Sequence, residues 1–335
     1  MITLGIETSC DETAVAIVED GYTLRTNLIA RQEHLHERFG GVVPEVAARA
    51  HVEALTPLLA RGLEEAELDF GDLDGVAVTV GPGLVGALLV GMAAAKSVSL
   101  ATGIPLAGVN HLEAHYWANF LVRGKPEPPY VALIVSGGHT MLVHVPEVFR
   151  HEVLGQTLDD AAGEAFDKVA RLLGLGFPGG PALDAAAGSG DARAVRFPRA
   201  MEDSGDLDFS MSGLKTAVLR YVKTERAAGR ELDVPDIAAS FQEAIVDVQV
   251  SKTLQAARDT GVSRVLLGGG VVANTRLRDR LDTDGTGAGL EVLIPPLDLC
   301  TDNAAMVACL GAAKLAAGEW AGLDIAADPN LPLAS

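Results

Sequence analysis

The chain has 335 residues, 48% of them hydrophobic, and a formal net charge of −19 at pH 7. This length is sufficient for two domains, and the apolar content excludes a globally disordered protein. The acidic balance excludes a protein that holds nucleic acid through one dominant basic surface. Aromatic residues are only 4% of the chain, so the core must be built mainly from Ala, Val, Leu and Ile.

The cysteines, the apolar runs and the N-terminus predict a cytoplasmic protein. The three cysteines (Cys10, Cys300 and Cys309) are an odd number without metal-type spacing, which suits a reducing compartment. The longest apolar run, residues 84–95, is interrupted by glycine and is too short to span a bilayer. The first residues lack the basic segment of a signal peptide.

In chain order, the first predicted elements are a strand over residues 2–6, a polar turn over 7–13 and a second strand over 14–18. A later apolar strand, residues 75–80, ends in a Gly-Pro-Gly turn and leads into a helix. A strand that ends in glycines before a helix is typical of the nucleotide-binding turns of α/β proteins.

The second half repeats this pattern. A strand over 130–135, a turn over 136–140 and a strand over 141–145 are followed later by a strand over 264–267 with glycines at its end. The repeat predicts an α/β protein built from two related domains with a cleft between them. Glycine-rich turns let the backbone approach phosphate oxygens, so their repetition favours a nucleotide-type ligand over ordinary loops.

The predicted domain boundaries follow from this repeat. Residues 122–129 contain one glycine and three prolines and are expected to form a linker. The first α/β domain comprises residues 1–125 plus 296–325, and the second comprises residues 130–295. Residues 326–335 are predicted to be a flexible tail.

Two histidines, His111 and His115, have the spacing of one helix face. Imidazoles so placed bind one metal ion together when a third ligand comes from elsewhere in the chain. Asp302 is the expected third ligand, because it follows a proline-rich turn and opens an Ala-rich helix. Two histidines and one carboxylate leave positions open for a substrate oxygen. The spacing also occurs by chance, in which case both histidines are core residues.

Glu113 lies between the two histidines, two places after the first. This spacing puts it about 200° around a helix from His111. It is therefore expected to face away from both histidines, unlike the general base of a His-Glu-x-x-His metalloprotease. A general base of that type is not available from this helix.

Two local basic patches interrupt the acidic chain. They consist of Arg193, Arg196 and Arg199, and of Arg276, Arg278 and Arg280. Such runs are usually solvated faces. If the substrate is RNA, these patches or a partner protein must supply the attraction to its phosphates.

Eight short motifs occur in one order along the chain: Glu7-Thr8-Ser9-Cys10-Asp11-Glu12-Thr13, Gly81-Pro82-Gly83-Leu84, Asn110-His111-x-x-x-His115, Val135-Ser136-Gly137-Gly138-His139-Thr140, Pro178-Gly179-Gly180-Pro181, Ser212-Gly213-Leu214-Lys215-Thr216, Gly269-Gly270-Val271-x-Ala273-Asn274 and Cys300-Thr301-Asp302-Asn303-Ala304. Together they resemble the bacterial tRNA N6-adenosine threonylcarbamoyltransferase family, formerly described as O-sialoglycoprotein endopeptidase. The resemblance covers residues 2–318. Ala114, Phe177 and Met211 replace residues that are usual in the family, and they leave every expected ligand in place.

The resemblance implies the duplicated fold of actin, sugar kinases and heat-shock chaperones, with an interdomain cleft. It also implies transfer of threonylcarbamoyl from threonylcarbamoyl-adenylate to N6 of the adenosine next to the anticodon, in tRNAs that read codons beginning with A. The products would be threonylcarbamoyl-adenosine (t6A) and AMP. We expect a metal-assisted acyl transfer without a protein nucleophile, because the donor is an activated mixed anhydride.

The resemblance further implies functional residues. In the first domain, His111, His115 and Asp302 would bind one divalent metal ion, Fe²⁺ by preference and Zn²⁺ as the alternative. In the second domain, the substrate-binding residues would be Ile134, Val135, Ser136, Gly137, Gly138, Asp167, Gly180, Asp184 and Asn274. Asp11 and Glu12 are candidates for the base that takes the proton of adenine N6, and their alternative role is to order their own turn.

The partners implied by the resemblance are tRNA, a paralogous partner protein and the small ATPase of the bacterial threonylcarbamoyl transfer complex. No membrane partner is expected. Two other functions stay open from the sequence. One is a metalloprotease acting on glycoproteins, which the position of Glu113 disfavours. The other is a scaffold of the same fold that hydrolyses ATP without modifying tRNA.

Overall fold

The computed structural model describes residues 1–333, apart from the side chain of Arg123. The described chain groups into two compact units. Unit 1 comprises Met1–Pro126 and Pro295–Leu333, and unit 2 comprises Glu127–Ile294. The domain boundaries inferred from the sequence stay a prediction.

The regular elements are numbered in chain order. The strands are β1 (Ile2–Glu7), β2 (Glu12–Glu19), β3 (Thr23–Arg31), β4 (Gly75–Gly81), β5 (Leu106–Asn110), β6 (Tyr130–Val135), β7 (Thr140–Glu147), β8 (Arg150–Gln156), β9 (Arg264–Gly268) and β10 (Glu291–Leu293). The helices are α1 (Glu33–His36), α2 (Pro44–Ala66), α3 (Val85–Thr102), α4 (His111–Trp117), α5 (Phe120–Arg123), α6 (Ala162–Leu173), α7 (Gly179–Ala187), α8 (Ser212–Ala227), α9 (Val234–Thr260), α10 (Thr275–Gly287) and α11 (Ala304–Ala316).

Unit 1 contains one mixed sheet with the strand order β3-β2-β1-β4-β5. Strand β1 is antiparallel to β2 and parallel to β4, which is in turn parallel to β5. In this register Gly5 lies opposite Ala16 on one side and Ala77 on the other. The carboxyl ends of β1, β4 and β5 therefore share one edge, where parallel α/β sheets place their ligand sites.

Unit 2 repeats the same architecture with the strand order β10-β9-β6-β7-β8. Strand β6 takes the place of β1, because it is antiparallel to β7 and parallel to β9. Ile134 lies opposite Met141 on one side and Gly268 on the other. The duplication predicted from the two strand–turn–strand patterns is confirmed.

Small residues allow helix α11 to approach the sheet of unit 1 closely. The helix contacts β1, β2, β4 and β5. A Cβ added at Gly311 would lie 2.1 Å from the Cβ of Ala77, and one added at Gly5 would lie 2.3 Å from the carbonyl oxygen of Ala304. Protein interiors are close-packed. In this core, which has few aromatic side chains, the close approach of the helix backbone to the sheet leaves little space to fill. It also fixes the first turn of α11 against β1.

Helix α3 is long and apolar enough to cross a membrane by length and composition alone, with 18 residues and a mean hydropathy of 1.5. It extends beyond the apolar run of residues 84–95. In the structure α3 packs against α2 and β4, and Ala87, Leu88 and Met92 are buried. This is the usual place of an apolar helix in an α/β layer.

The last described residues hydrogen-bond to the edge of the unit 1 sheet. The backbone N–H of Asp328 donates to the Val80 carbonyl at 2.8 Å. The Asn110 amide donates to the Pro332 carbonyl at 3.0 Å. The flexibility expected for residues 326–335 stays a prediction. Residues 334 and 335 lie outside the described part of the chain.

Candidate functional site

Asn110 is both the last residue of β5 and the N-cap of α4. Its Oδ1 accepts hydrogen bonds from the backbone N–H groups of Leu112 (2.9 Å) and Glu113 (3.3 Å). Asparagine is favoured at this position because it satisfies N–H groups that have no partner inside the helix. The helix therefore begins at His111, and the buried His111 and His115 lie one turn apart on one face.

Asp302 lies in the short loop before α11, which Asn303 caps. The amide of Asn303 also donates to the Thr301 carbonyl at 2.7 Å, so the loop is tied on both sides of Asp302. Asp302 Oδ1 lies 3.6 Å from Nε2 of His111 and 3.6 Å from Nε2 of His115. The three ligand atoms all lie within 4.8 Å of one another. The structure thus contains a possible metal site of two histidines and one carboxylate.

The separations in this site fit one metal ion better than direct hydrogen bonds. An N···O distance of 3.6 Å is longer than a hydrogen bond. An ion with ligand bonds of about 2.0–2.2 Å holds neighbouring ligand atoms about 3–3.5 Å apart. Small side-chain shifts would therefore bring all three atoms to bonding distance of one ion.

The charges around the site also favour a cation. Burial alone would lower the pKa of His111, but the carboxylates of Asp302 and Glu7 raise it to about 9. Burial raises the pKa of Asp302 to about 6, with Glu7 and Asp11 adding to the rise and His111 opposing it. These shifts arise because several carboxylates are crowded together in a desolvated space. A bound divalent ion would offset their repulsion.

Glu7 belongs to this site, although no sequence pattern predicted a role for it. Its fully buried carboxylate accepts hydrogen bonds from the Thr79 hydroxyl at 2.7 Å and from His111 Nδ1 at 3.1 Å. Burial would raise the pKa of Glu7, but the charge of His111 and these hydrogen bonds bring it below its ordinary value. The available signal was a single acidic residue at the carboxyl end of an apolar strand.

The two candidates for a general base lie where the turn after β1 meets β2: Asp11 is the last residue of that turn, and Glu12 is the first residue of β2. His51 of α2 supports this turn through a hydrogen bond between its Nε2 and the Cys10 carbonyl oxygen (3.0 Å). Burial raises the pKa of Glu12 well above its ordinary value, and the carboxylates of Asp302 and Asp11 raise it further. Burial likewise raises the pKa of the Cys10 thiol, which is then protonated at neutral pH and a poor nucleophile.

Glu113 points away from the metal-site histidines, as predicted. Its Oε2 lies 3.7 Å from Nζ of Lys314 on α11. Burial raises the pKa of Glu113 to about 7, with Lys314 lowering it in part and Glu319 raising it. The side chain is 4% exposed, so desolvation acts on it almost fully. Glu113 therefore belongs to the packing between α4 and α11.

We expect Glu113→Gln to stabilise unit 1 at pH 8 and to have little effect at pH 5. Because folding raises this pKa from 4.5 to about 7, the folded state holds the proton more tightly, and the stability contributed by this group falls as pH rises through that range. The full effect is about 3 kcal/mol, and Gln mimics the protonated form. Urea unfolding followed by tryptophan fluorescence measures it, because Trp117 and Trp320 both belong to unit 1. An equal difference at both pH values would contradict the assignment.

In unit 2, the turn that follows β6 contains backbone that no side chain covers. Gly137 and Gly138 are exposed, and a Cβ added to either would meet no atom within 4 Å. The first turn of α6 supports it, because the Gly163 N–H donates to the Ser136 carbonyl at 3.2 Å. Gly269, with φ +101°, packs on its other side, where an added Cβ would lie 2.3 Å from the Val135 carbonyl oxygen. Only glycine combines that backbone angle with that contact.

Hydrogen bonds link α6 to the start of α7 and α7 to the start of α10, where the remaining predicted substrate-binding residues lie. Asp167 Oδ1 accepts from the Gly179 N–H at 2.8 Å and so holds the start of α7, next to Gly180. The Asn274 amide donates to Asp184 Oδ1 at 3.0 Å. The structure of unit 2 therefore brings Asp184 and Asn274 into direct contact.

Two predicted residues offer no side chain to a ligand. Ile134 and Val135 are both 0% exposed, because they are the last residues of β6 and lie inside the core of unit 2. Any contact from them would come from the backbone at the strand end. Their predicted part in substrate binding stays a prediction.

Three of the six arginines noted in the sequence form ion pairs with acidic neighbours. Arg199 pairs with Asp247 at 2.7 Å, Arg276 pairs with Glu243 at 2.7 Å, and Arg280 pairs with both acids at 2.8 and 2.9 Å. These groups form one ion-pair network and leave little charge for phosphates. Arg193 and Arg196 are exposed and line a cavity of about 630 Å³. None of the predicted substrate-binding residues lines this cavity.

Comparison with known proteins gives a consistent result. The family model described as tRNA N6-adenosine threonylcarbamoyltransferase matches residues 23–309. A Moorella thermoacetica protein of that name is 53% identical over 330 residues, covering 98% of this chain and 96% of that protein. A Thermotoga neapolitana protein of the same name is 52% identical over 331 residues, covering 99% of each.

A solved structure supports the fold. Component A of the (R)-2-hydroxyglutaryl-CoA dehydratase of Acidaminococcus fermentans aligns with a TM-score of 0.55 at 16% identity, over 94% of this chain and 99% of that chain. At this identity the likeness concerns the fold alone. Together with the two equivalent sheets, it confirms the predicted duplicated, actin-like α/β fold.

Proposed function

Because the chain belongs to the tRNA N6-adenosine threonylcarbamoyltransferase family, it is an acyltransferase that acts on tRNA, and we propose that it works at a metal centre built from His111, His115 and Asp302. The donor is threonylcarbamoyl-adenylate, and the acceptor is N6 of the adenosine next to the anticodon in tRNAs that read codons beginning with A. One bond forms between N6 and the carbamoyl carbon, and the bond from that carbon to the phosphate oxygen breaks. The products are t6A and AMP.

The observation that carries this proposal is the convergence of two buried Nε2 atoms on one oxygen of the half-buried Asp302 carboxylate, each at 3.6 Å. Fe²⁺ is the ion we expect first, and Zn²⁺ is the alternative. When bound, the ion would supply positive charge next to the phosphate and carbonyl oxygens of the donor. The chain orients the donor and provides a desolvated environment in which the charge of the ion acts strongly.

The residues of unit 2 are proposed to hold the adenylate. Exposed backbone at Gly137 and Gly138 gives phosphate oxygens close access to N–H groups. The carboxylates of Asp167 and Asp184 accept hydrogen bonds, and this acceptor chemistry suits ribose hydroxyls. Asn274 both donates and accepts, as recognition of adenine or of a carbonyl requires.

Glu12 and Asp11 are the two proposed bases, and burial favours Glu12. A base that takes the proton from N6 works best with a pKa near the operating pH. The pKa of Glu12 is raised in that direction by burial and by the carboxylates of Asp302 and Asp11. Asp11 is the second candidate, because it directly precedes Glu12 at the start of β2.

Partners and compartment complete the proposal. The net charge of −19 and the paired arginines support weak, salt-sensitive binding of tRNA by this chain alone. We therefore propose that a paralogous partner protein and a small ATPase act with it, and that the complex works in the cytoplasm without a membrane partner. Three free cysteines suit that compartment: Cys10, Cys300 and Cys309.

The test is a transfer assay read by mass spectrometry of digested tRNA nucleosides. Unmodified tRNA, threonylcarbamoyl-adenylate, the partner proteins and Fe²⁺ are combined with and without this chain, and a related transferase serves as positive control. We expect a t6A signal that depends on this chain. No signal beside a working control would reject the proposal, and ATP turnover in the same mixture would then favour the scaffold function.

A further inference from the structure

We propose that Glu7 is a positioning residue for His111. Glu7 contacts Nδ1, the imidazole nitrogen that faces away from the metal site, and so orients Nε2 toward the metal. The inference rests on the metal centre proposed above. Strands β1, β4 and β5 are parallel neighbours, so their carboxyl ends lie side by side. Glu7 ends β1 and His111 follows β5, which explains how residues 104 positions apart come into contact.

The hydrogen bonds around Glu7 determine which nitrogen of His111 carries the hydrogen. Glu7 Oε1 accepts from the Ser9 N–H at 2.5 Å, and Oε2 accepts from the Thr79 hydroxyl at 2.7 Å. A carboxylate used as an acceptor by these groups has no hydrogen to give, so His111 Nδ1, at 3.1 Å, must be the donor to Glu7. The Ser9 hydroxyl oxygen lies 3.2 Å from the same Nδ1 and is then a second acceptor for that hydrogen. In the neutral imidazole, which is the form that binds a metal ion, the lone pair then lies on Nε2, the atom 3.6 Å from Asp302 Oδ1.

This contact has a physical consequence for metal affinity. A histidine without a partner on Nδ1 divides its population between two tautomers and several ring orientations, and only one tautomer offers Nε2 as a ligand. A carboxylate on Nδ1 selects that tautomer, fixes the ring and makes Nε2 more basic. Contacts of this kind are worth about 10- to 100-fold in metal affinity.

A purely structural role makes a different prediction. Glu7 also holds the turn after β1 through Ser9 and is tied to β4 through Thr79. If ordering that turn were its whole role, removing the Thr79 hydroxyl would disturb the site in the same way. Thr79→Val therefore provides a matched control, because it breaks one bond to Glu7 and leaves the bond to His111.

The experiment measures Co²⁺ binding to the full-length chain after metal removal, by competition with a chelator and by visible absorption. Glu7→Gln is expected to weaken affinity about 10- to 100-fold and to change the visible spectrum of the bound Co²⁺. The loss is partial because the Gln carbonyl can still accept from Nδ1. Thr79→Val is expected to stay within about threefold of the parent chain, with an unchanged spectrum.

The outcomes are distinct. Parent-like affinity and spectrum in Glu7→Gln would overturn the proposal, and so would equal losses in both variants together with a lower melting temperature. If Glu7→Gln does not fold, Glu7→Asp is measured instead, since it keeps the charge but shortens the reach to Nδ1, and the same criteria apply. A parent chain that binds no Co²⁺ would overturn the metal centre itself, which separates that failure from failure of the Glu7 assignment.

Discussion

Replacing Asp302 with alanine is expected to abolish metal retention and to lower the transfer rate by about 10³-fold or more. Asp302 provides the only carboxylate oxygen among the three converging ligand atoms. Its loss leaves His111 and His115, and two imidazoles alone hold an ion weakly. Metal content is measured by mass spectrometry after anaerobic loading with Fe²⁺, and transfer is measured as t6A in digested tRNA.

Asp298→Ala is the matched control for this variant. It removes the same charge from the same loop, four places earlier, at an exposed side chain with no ion pair among the described residues. Metal content and rate should remain within about twofold of the parent chain. An Asp302→Ala protein that keeps its metal and its activity would reject the proposed ligand set.

The substitution Gly5→Ala is expected to destabilise unit 1 by about 3 kcal/mol and to weaken metal binding with it. The added Cβ would lie 2.3 Å from the Ala304 carbonyl oxygen and 2.8 Å from the Cβ of Ala308. Neither atom is the end of a flexible side chain, so the first turn of α11 must move away from β1. Asp302 lies directly before that turn, and its oxygen should move away from the histidines. Urea unfolding by tryptophan fluorescence and Co²⁺ titration measure the two effects.

Gly71→Ala makes the same chemical change in unit 1 where a Cβ meets no atom within 4 Å. Its free energy of unfolding should lie within about 0.5 kcal/mol of the parent value, and its metal affinity should be unchanged. Equal stability of Gly5→Ala and Gly71→Ala would mean that α11 and β1 are less closely packed than the structure has them.

Local patterns predicted the regular elements well. The strand expected over residues 2–6 is β1 without its last residue, the one over 14–18 is the centre of β2, and the strand over 130–135 coincides with β6. Continuous apolar runs bounded by polar turns are read over a few neighbouring residues, so no distant contact is needed to recognise them. The helix at His111 was predictable for the same reason, because its spacing and the Asn cap are local.

Local patterns were less informative where distant contacts decide an element's length. The apolar run over residues 84–95 ends at Lys96, yet α3 continues to Thr102. Packing of α3 against α2 and β4 stabilises these last turns, although the polar residues in them have only a weak intrinsic preference for the helix. Helix ends are generally set by such contacts and caps rather than by hydropathy.

By itself the sequence determined the two-fold repeat, the family through its eight motifs, and His111, His115 and Asp302 as a hypothesis for metal binding. The tertiary structure decided how these residues meet and what surrounds them. It brought Glu7 to His111 across 104 residues and turned Glu113 toward Lys314. The reason is that burial, partner geometry and pKa depend on which elements pack together, and parallel strand order brings together residues that no local pattern connects.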